Sequence, residues 1–534
     1  MEAKKCSHHR CELEVYEDSD KCVLHCKKDN KYKHDKWDLY KRFEDELINE
    51  IAHQLKEYGN DKVKTVVKFT KEVAIDLIYS QGLGKYFLEK SNTKNKEDTI
   101  VKLIIFDNII FPQGKSQDSF FYNKILKKLE AIHFNYCEFN VSYLELDNIK
   151  CFFQDCVFHI SWILPNCSIL ENEDNVVYQA CIFHGDVVNY TSDNSQKLAI
   201  YQSSQFDYTC QFKKSIKFNS SKFTKMLFNT NQGNYSENHT IDKIIIEDCI
   251  FEKRFKLKNH RIKKFFSKNS LFKSKFEFRE NSLESFKVFN TNFEGIFDCN
   301  LNYFLYFHME KSVFSKYVGF EECIFGNNVP HESEVAVFKY VSFLDYSYFR
   351  RATFNSGLDL ETTNLEEYPN FLYINVEPSY TNKETFRIIK HSFDKVGNTT
   401  EANKFFAYEM EKEGKNIKYS EDLNKKIMLN LNHWVSNFGQ SWLKPLVWIF
   451  IFAIIHSLLN YAIDNNTFKL VDSKSSIYDF LQFISNSANQ IAKNILPFKK
   501  ALEEGKEFIS LLFLIINSVL IYNLIVAVKR ITKR

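Results

Sequence analysis

The sequence predicts a mixed fold, in which a long β-helix is followed by two α-helices that cross a membrane. Three observations predict it. Phenylalanine often recurs at every fifth position through residues 134–371. Two apolar runs near the C-terminus, residues 446–463 and 508–528, carry no formal charge. A cluster of cysteine and histidine residues stands close to the N-terminus, ahead of both regions.

Length and composition favour a repeat array over a single globular core. The chain has 534 residues, which is more than one ordinary core accommodates. It contains 52 Phe but only 14 Gly and 7 Pro, so one structural rule must use phenylalanine again and again. The formal net charge of +3, from 71 basic and 68 acidic residues, supports neither nucleic-acid binding nor acidic mimicry of DNA.

The cysteine pattern indicates a reducing compartment. Thirteen cysteines are scattered singly, apart from the N-terminal cluster, and such spacing is typical of free thiols and not of a disulfide framework. The first ten residues are charged and lack an apolar stretch, so we expect no signal peptide.

The N-terminal cluster predicts a structural zinc site within residues 1–30. Cys6 and Cys11 form one close pair, and Cys22 and His25 form a second. Each pair can be presented by one tight turn, which suits tetrahedral zinc with no open coordination position. The spacing resembles that of small treble-clef-like zinc knuckles. The fourth ligand stays open at this point, because His8, His9 and Cys26 are further candidates.

A helical and mixed segment is expected over residues 31–130. Within residues 36–58, the apolar side chains fall on one helical stripe, which packing onto the β-helix or onto another subunit would bury. Its members are Trp37, Tyr40, Phe43, Leu47, Ile51 and Leu55.

The five-residue period of the central region predicts a square coil over residues 131–376. Neither an α-helix nor a plain strand has a period of five. In a square coil each side takes five residues, with one large inward side chain and a small inward residue two positions before it. Phe218, Phe223 and Phe228 illustrate the spacing, and Cys156 before Phe158 illustrates the small position. Each coil then takes roughly 20 residues, and coils stack at about 4.8 Å.

This pattern resembles the pentapeptide-repeat family, in which a small residue, any residue and then Leu or Phe recur. The resemblance implies a right-handed quadrilateral β-helix, interrupted here by insertions near residues 189–197 and 229–240. It also implies that the cysteines in the small position are buried core residues and not reactive thiols.

A helical connector is expected over residues 377–436. Residues 385–395 and 400–415 have helical patterns and are separated by the turn-forming pair Gly397 and Asn398. Thr399 or Thr400 would cap the second helix.

The membrane domain is expected over residues 437–534. Runs of about 20 apolar residues span the hydrocarbon layer of a bilayer, and both uncharged runs approach or exceed that length. Lys529, Arg530, Lys533 and Arg534 follow the second span and favour a cytoplasmic C-terminus. Two spans then leave the N-terminal region in the cytoplasm as well.

Between the spans, residues 475–496 predict an amphipathic helix. It either re-enters the bilayer as a pore helix or lies flat on the membrane surface. No T-x-G-Y-G filter sequence follows it, so conduction would have low selectivity. Polar residues in the spans either line the pore or join the helices. The pore-lining candidates are His456, Asn486, Asn489, Lys493 and Asn517.

Four segments outside the repeats resemble parts of membrane-bound pentapeptide-repeat proteins with a C-terminal two-span ion-channel-like domain. They are CVLHC at residues 22–26, the I-F-x-N-x-I-F-P segment at 105–112, the helical hairpin at 384–415 and LIYNLIVAVKRITKR at 520–534. The resemblance implies a multi-pass protein of the bacterial inner membrane, assembled as a tetramer and conducting ions. It further suggests an antiphage or stress effector that depolarises the membrane in response to a nucleotide or oligonucleotide signal. The alternative is a membrane-anchored scaffold or receptor without a pore. No P-loop, G-x-S-x-G or H-E-x-x-H motif is present, so we do not expect an enzyme.

Overall fold

A computed structural model describes most of the chain in two compact units. The first unit comprises Met1–Ser356, Thr362–Glu367 and Leu372–Asn375, and the second comprises Gly357–Glu361, Tyr368–Phe371 and Val376–Arg534. The described residues are 4–9, 11–28, 36–57, 103–112, 123, 126, 129–170, 175–189, 198–229, 239–417, 422–464, 488–489, 491–492, 495 and 507–532.

Parallel strands stacked in register build the first unit. Phe251 pairs with Phe272, and Phe272 with Phe293, so equivalent positions lie 21 residues apart in this part of the stack. Their rings lie face to face, with centroids 4.7 Å and 5.1 Å apart. Because these distances match the spacing of hydrogen-bonded strands, each ring contacts the equivalent ring in the next coil. The expected stacking of coils is thus confirmed as a β-helix-like arrangement.

Two parallel sheets belong to the N-terminal coils. The first contains β1 (Leu103–Asp107), β3 (Ala131–Asn135), β5 (Lys150–Gln154), β8 (Ser168–Ile169), β9 (Tyr178–Gln179), β13 (Phe206–Asp207) and β17 (Phe228–Asn229), and the second contains β2 (Ile110–Phe111), β4 (Glu138–Phe139), β6 (Val157–Phe158), β10 (Ile182–Phe183) and β14 (Gln211–Phe212).

Three further sheets continue the stack. The third contains β7 (Trp162–Leu164), β11 (Val187–Asn189), β15 (Ser215–Asn219), β18 (His239–Glu247), β21 (His260–Lys268), β24 (Ser282–Phe289), β27 (Tyr303–Glu310), β30 (Ile324–Phe325), β31 (Ala336–Lys339) and β34 (Thr353–Phe354). The fourth contains β12 (Ala199–Tyr201), β16 (Ser221–Phe223), β19 (Ile250–Phe251), β22 (Leu271–Phe272), β25 (Asn292–Phe293), β28 (Val313–Phe314), β32 (Ser342–Phe343) and β36 (Asn364–Leu365). The fifth contains β20 (Phe255–Lys258), β23 (Phe276–Arg279), β26 (Phe297–Asp298), β29 (Val318–Gly319) and β33 (Ser347–Tyr348). Two other short strands are β35 (Leu358–Asp359) and β37 (Asn375–Val376).

The long strands of the third sheet add an inward column that the five-residue rule omits. Along β24 the buried positions are Leu283, Phe286 and Val288. Leu283 and Val288 follow the expected spacing of five, but Phe286 lies between them. It stacks on Phe265 and Phe307, with ring centroids 4.8 Å and 5.3 Å away. A strand of eight residues has room for this additional inward side chain, which a five-residue side does not.

Most residues expected in the small position are buried, including Cys137, Cys156, Cys181, Cys249 and Cys323. The thiol of Cys156, for example, donates to the carbonyl of Phe134 at 3.4 Å, and burial raises the pKa of this thiol well above its ordinary value. All thirteen cysteines are free thiols.

Ser204 is an exception to the small-position rule, because it is only half-buried. Ser203 and Gln205 are buried instead, and Gln205 Nε2 donates to the carbonyl of Ser203 at 2.8 Å. The buried side chains at this corner are therefore those of Ser203 and Gln205.

Asparagine and aspartate replace glycine at corners of the coil. Asp248, Asn269 and Asn290 adopt left-handed conformations with φ of 51°, 49° and 45°. Asn and Asp tolerate this region better than most residues, because their short polar side chains make local hydrogen bonds. Asn290 Nδ2 donates to Asn269 Oδ1 at 2.9 Å, and Asn269 Nδ2 donates to Asp248 Oδ1 at 3.1 Å. This side-chain ladder supports three successive corners without glycine, whereas the equivalent corner of the next coil places Lys311 at φ of 51°.

Helix α1 (Lys36–Glu57) packs against the first coil. Phe43, Leu47 and Ile51 are buried, and the Phe43 ring meets the Phe111 ring edge-on at 5.7 Å. The apolar stripe of this helix thus packs on the β-helix, which was one of the two expected partners.

Five helices make up most of the second unit. Asn382 and Asn398 cap α2 and α3 by accepting from backbone N–H groups three residues later. The expected cap at Thr399 or Thr400 is therefore wrong, because the amide side chain of Asn398 reaches the Glu401 N–H first. The helices are α2 (Lys383–Lys395), α3 (Thr399–Asn416), α4 (Leu423–Ser436), α5 (Leu443–Asp464) and α6 (Glu507–Thr532).

Helices α5 and α6 contain the two predicted spans. Both are long and apolar enough to cross a membrane, over Leu443–Asn460 and Glu507–Arg530. Only 28% and 22% of these windows are buried, so neither helix has the burial expected of a core helix in a soluble protein. Of the predicted re-entrant helix, only residues 488–489, 491–492 and 495 are described, and they are helical.

Candidate functional site

The structure brings Cys6, Cys11, Cys22 and His25 together at a candidate metal centre. Their ligand atoms all lie within 4.8 Å of one another. Cys11 Sγ is 3.7 Å from Cys22 Sγ, and Cys6 Sγ is 3.7 Å from His25 Nδ1. Tetrahedral zinc with Zn–S bonds of about 2.3 Å places two sulfurs about 3.8 Å apart. The spacing of the donor atoms therefore fits one tetrahedral ion.

Local turns position both pairs of ligands. The Cys11 N–H donates to the His8 carbonyl at 3.1 Å, which closes the turn between the first two cysteines. The His25 N–H donates to the Cys22 carbonyl at 3.1 Å and closes the second turn. The Cys22 N–H also donates to Cys6 Sγ at 3.2 Å, a contact that joins the pairs and favours a thiolate at Cys6.

Burial shifts the pKa values of two of the four clustered side chains. Burial lowers the pKa of His25 to about 4, so its imidazole is neutral at pH 7 and can bind a metal through Nδ1. Burial raises the pKa of Cys22 above its ordinary value. A bound dication would offset this effect, because it stabilises the thiolate directly.

The structure favours His25 over Cys26 as the fourth ligand. Cys26 is buried, but its Sγ contacts the Val23 carbonyl at 3.8 Å and is not among the four clustered residues. His8 is also outside the group, since its ring packs on His25 and its Nε2 lies 3.6 Å from Asp107 Oδ2.

The loop that carries Cys22 and His25 closes the N-terminal edge of the β-helix. The Ile110 N–H in β2 donates to the Leu24 carbonyl at 2.9 Å, so the loop contacts an otherwise open strand edge. Lys28 Nζ donates to the carbonyls of Leu24 and Cys26, each at 3.2 Å, and lies 4.8 Å from the centre of the Phe43 ring. The loop and α1 together form a terminal cap for the coils.

A groove of about 450 Å³ lies on the outer face of the third sheet. Lys287 and His308 stand side by side on its floor, since β24 and β27 pair at these positions. Tyr306 and Phe289 supply aromatic surface, and a short 3-10 turn (Glu332–Glu334) contributes Glu332 and Ser333 to the opposite wall. Lys287 thus lies on the same groove as the exposed ring of Tyr306, while Glu332 adds a negative charge to the wall.

A polar seam runs between the two apolar helices. His456 of α5 stacks on Phe513 of α6, with ring centroids 4.5 Å apart and an interplanar angle of 9°. Asn460, Ser510 and Asn517 are also buried within the described part of this helix pair. Four polar side chains thus lie inside a pair of helices whose outer surfaces are apolar.

The structure describes three of the five predicted pore-lining residues. His456 and Asn517 lie in the polar seam of a single chain. Asn489 is helical and exposed. Asn486 and Lys493 lie outside the described residues.

Sequence reasoning missed the groove and the apolar face of α4. The groove depends on which residues of separate coils become neighbours, and no local pattern signals that. The face of α4 did have a signal, because Leu423, Ile427, Leu431 and Trp434 recur at helical spacing.

Comparisons with protein-family models, curated proteins and solved structures found no match to this chain. The description of this protein therefore rests on its own fold and sites. It is a β-helix-like protein with an N-terminal Cys/His cluster and two apolar helices near its C-terminus.

Proposed function

We propose that this protein is an oligomeric membrane channel of low selectivity, with the β-helix as its cytoplasmic stem. The polar seam carries the proposal. An ionisable histidine inside an apolar helix pair is costly in a bilayer, and such residues usually mark a pathway for ions or protons. His456, Asn460 and Asn517 occupy such positions.

One chain contributes two spans, and two helices cannot enclose a pore. Several copies must therefore assemble, and a closed symmetric ring of four satisfies this requirement. The basic end of α6, Lys529 and Arg530, sets the orientation by the positive-inside rule, with both termini in the cytoplasm of a bacterial cell. The re-entrant helix expected at residues 475–496 would complete the pore.

The stem supports the proposal as a rigid sensor. We propose that its coils are right-handed and four-sided, and that structural zinc at Cys6, Cys11, Cys22 and His25 closes its N-terminal end. The zinc would supply folding free energy to the cap and leave no open position for catalysis.

The groove offers a place for the activating signal. Its lysine, histidine and aromatic rings suit a nucleotide or oligonucleotide, which combines phosphates with stacking bases. A role in stress or antiphage defence would follow from opening a poorly selective pore, because that would depolarise the membrane.

A membrane-anchored scaffold is the second candidate, and one observation favours it. The seam is buried within a single chain, as expected if its polar groups join the two helices and do not line a path. In that case the apolar helices only hold the stem at the membrane.

Ion flux through vesicles containing the full-length protein separates the two candidates. The channel proposal predicts flux of small ions with nucleotides as trial activators, and a mass in detergent of several chains. Asn517→Leu should change the flux, whereas Val519→Leu on the exposed face of α6 should not. Vesicles that stay tight under every condition, with a single-chain mass, would overturn the channel and leave the anchor.

A further inference from the structure

Helix α4 presents an exposed apolar face. Met428 and Trp434 are 64% and 65% exposed, and Leu423, Ile427 and Leu431 are exposed beside them. Leu423, Ile427, Leu431 and Trp434 recur at spacings of three or four, and Met428 follows Ile427 directly, so the five form one stripe along the helix. An exposed stripe of large apolar side chains on a short helix indicates an interaction surface.

The opposite face of α4 is fixed against α3. Leu429 packs in a small core with Ala407 and Phe438. Lys425 pairs with Glu413 at 2.7 Å, and Lys426 Nζ donates to the Ile417 carbonyl at 2.9 Å. The helix is therefore held in one rotation about its axis, and its apolar face points away from the connector.

The apolar face continues onto the first span. A short turn at residues 437–442 joins α4 to α5, and the Trp434 and Trp448 rings lie 4.7 Å apart. Trp448 belongs to the second turn of α5, and Val447 and Phe450 beside it are exposed. The face of α4 is thus at the level of the first turns of the span.

We propose that α4 is an in-plane interfacial helix whose apolar face is buried at the boundary between lipid headgroups and acyl chains. The proposal rests on α5 and α6 crossing the membrane. Lipid fits this face because it continues the exposed surface of the span without a break. Indole rings also prefer the membrane–water interface, with the ring in apolar surroundings and the N–H near water.

The charges of α4 specify how it binds. Its two lysines, Lys425 and Lys426, are both engaged with α3. Insertion therefore depends on apolar burial and not on attraction to anionic headgroups. Raising the anionic lipid fraction or the salt concentration should leave the depth of Trp434 unchanged.

Fluorescence quenching by brominated lipid tests the proposal on the full-length protein in phosphatidylcholine vesicles. In a Trp442→Phe, Trp448→Phe background, bromine placed high on the acyl chain should quench Trp434 more strongly than bromine near the chain end. Adding Trp434→Phe should abolish the quenched component. Adding Trp162→Phe instead should preserve it, because Trp162 is buried inside the coils.

A second variant tests the span separately. In a Trp434→Phe, Trp442→Phe background, quenching of Trp448 reports whether α5 enters the bilayer. If Trp448 is quenched and Trp434 is not, α5 enters the bilayer but α4 does not. That result would overturn the interfacial helix and indicate that a protein partner covers its apolar face. If neither is quenched, the membrane proposal itself fails. Should the double variants misfold, Trp434→Phe alone must still reduce the shallow quenching of the wild type.

Discussion

The guanidinium group of Arg530 lies over the ring of Phe406, 4.9 Å from its centre. Its Nη1 also donates to the carbonyl of Phe438, and Asn403 Nδ2 reaches the Arg530 carbonyl at 3.5 Å. Arg530 lies in the last turn of α6, whereas Phe406 belongs to α3 and Phe438 to the turn between α4 and α5. One side chain thus joins all three segments.

Arg530→Ala should destabilise this junction. A cation–π contact contributes about 0.5–2 kcal/mol, and the carbonyl of Phe438 would also lose its charged donor. Thermal unfolding of the full-length protein in detergent measures the effect. Lys529→Ala is the matched control, because Lys529 is basic and exposed. Equal melting temperatures for the two variants would show that the contact contributes nothing.

Gly439→Ala should destabilise the same turn by a different route. Gly439 has φ of +80°, and a Cβ there would lie 2.9 Å from Arg530 Nη1. A non-glycine residue at positive φ costs on the order of 1 kcal/mol before any clash. Gly414→Ala, inside α3 with its nearest neighbour at 3.8 Å, should instead stabilise the protein by about 0.5–1 kcal/mol. Urea unfolding should therefore give opposite signs for the two glycines.

Purified protein should contain about one zinc per chain, and Cys11→Ser should remove it. Cys26→Ser should keep the metal, because Cys26 Sγ contacts the Val23 carbonyl and stands apart from the cluster. Elemental analysis gives the zinc content, and hydrogen exchange at Ile110 reports whether the cap still covers the strand edge. Zinc-free wild-type protein would refute the site, and loss of zinc in Cys26→Ser would refute the ligand assignment.

Phe286→Ala should cost about 3–5 kcal/mol of unfolding free energy, since the ring is fully buried between two stacked neighbours and would leave a cavity. Circular dichroism of the full-length protein measures this cost, because loss of the β-sheet signal reports unfolding of the first unit. Ile296→Ala, at a position that is 42% exposed, should cost far less. Similar costs for both would mean that Phe286 does not point inward.

Acid should weaken the connector through Glu413. A hydrogen bond from Lys383, followed by one from Lys425, lowers the pKa of Glu413 below its ordinary value of 4.5. Since the folded-state pKa is the lower one, the ion pairs stabilise the protein above about pH 4.5 and are lost as the pH falls further. Glu413→Gln should remove that part of the acid dependence. Glu411→Gln, which breaks a surface pair with Lys415, should retain it.

How much the sequence could predict depended on the range of the contacts. The Cys/His cluster and the stacked rings are set by local spacing, so their pattern is visible along the chain. The five-residue rule did not predict Phe286 as an inward residue, because the eight-residue strand places its inward residues three and then two positions apart. The contact of Arg530 with Phe406 joins residues distant in sequence, and the groove joins separate coils. Neither leaves a local pattern.

The 21-residue register gives the central coils of the stem a repeating unit of constant length. Removing residues 272–292 would join equivalent strand positions and keep every later ring facing inward. Removing one residue fewer would leave one extra residue, which a corner must absorb, as in the 22-residue coil between Tyr201 and Phe223. The stem therefore gains or loses about 4.8 Å for each whole coil, and a 21-residue duplication would lengthen it without disturbing the stacked rings.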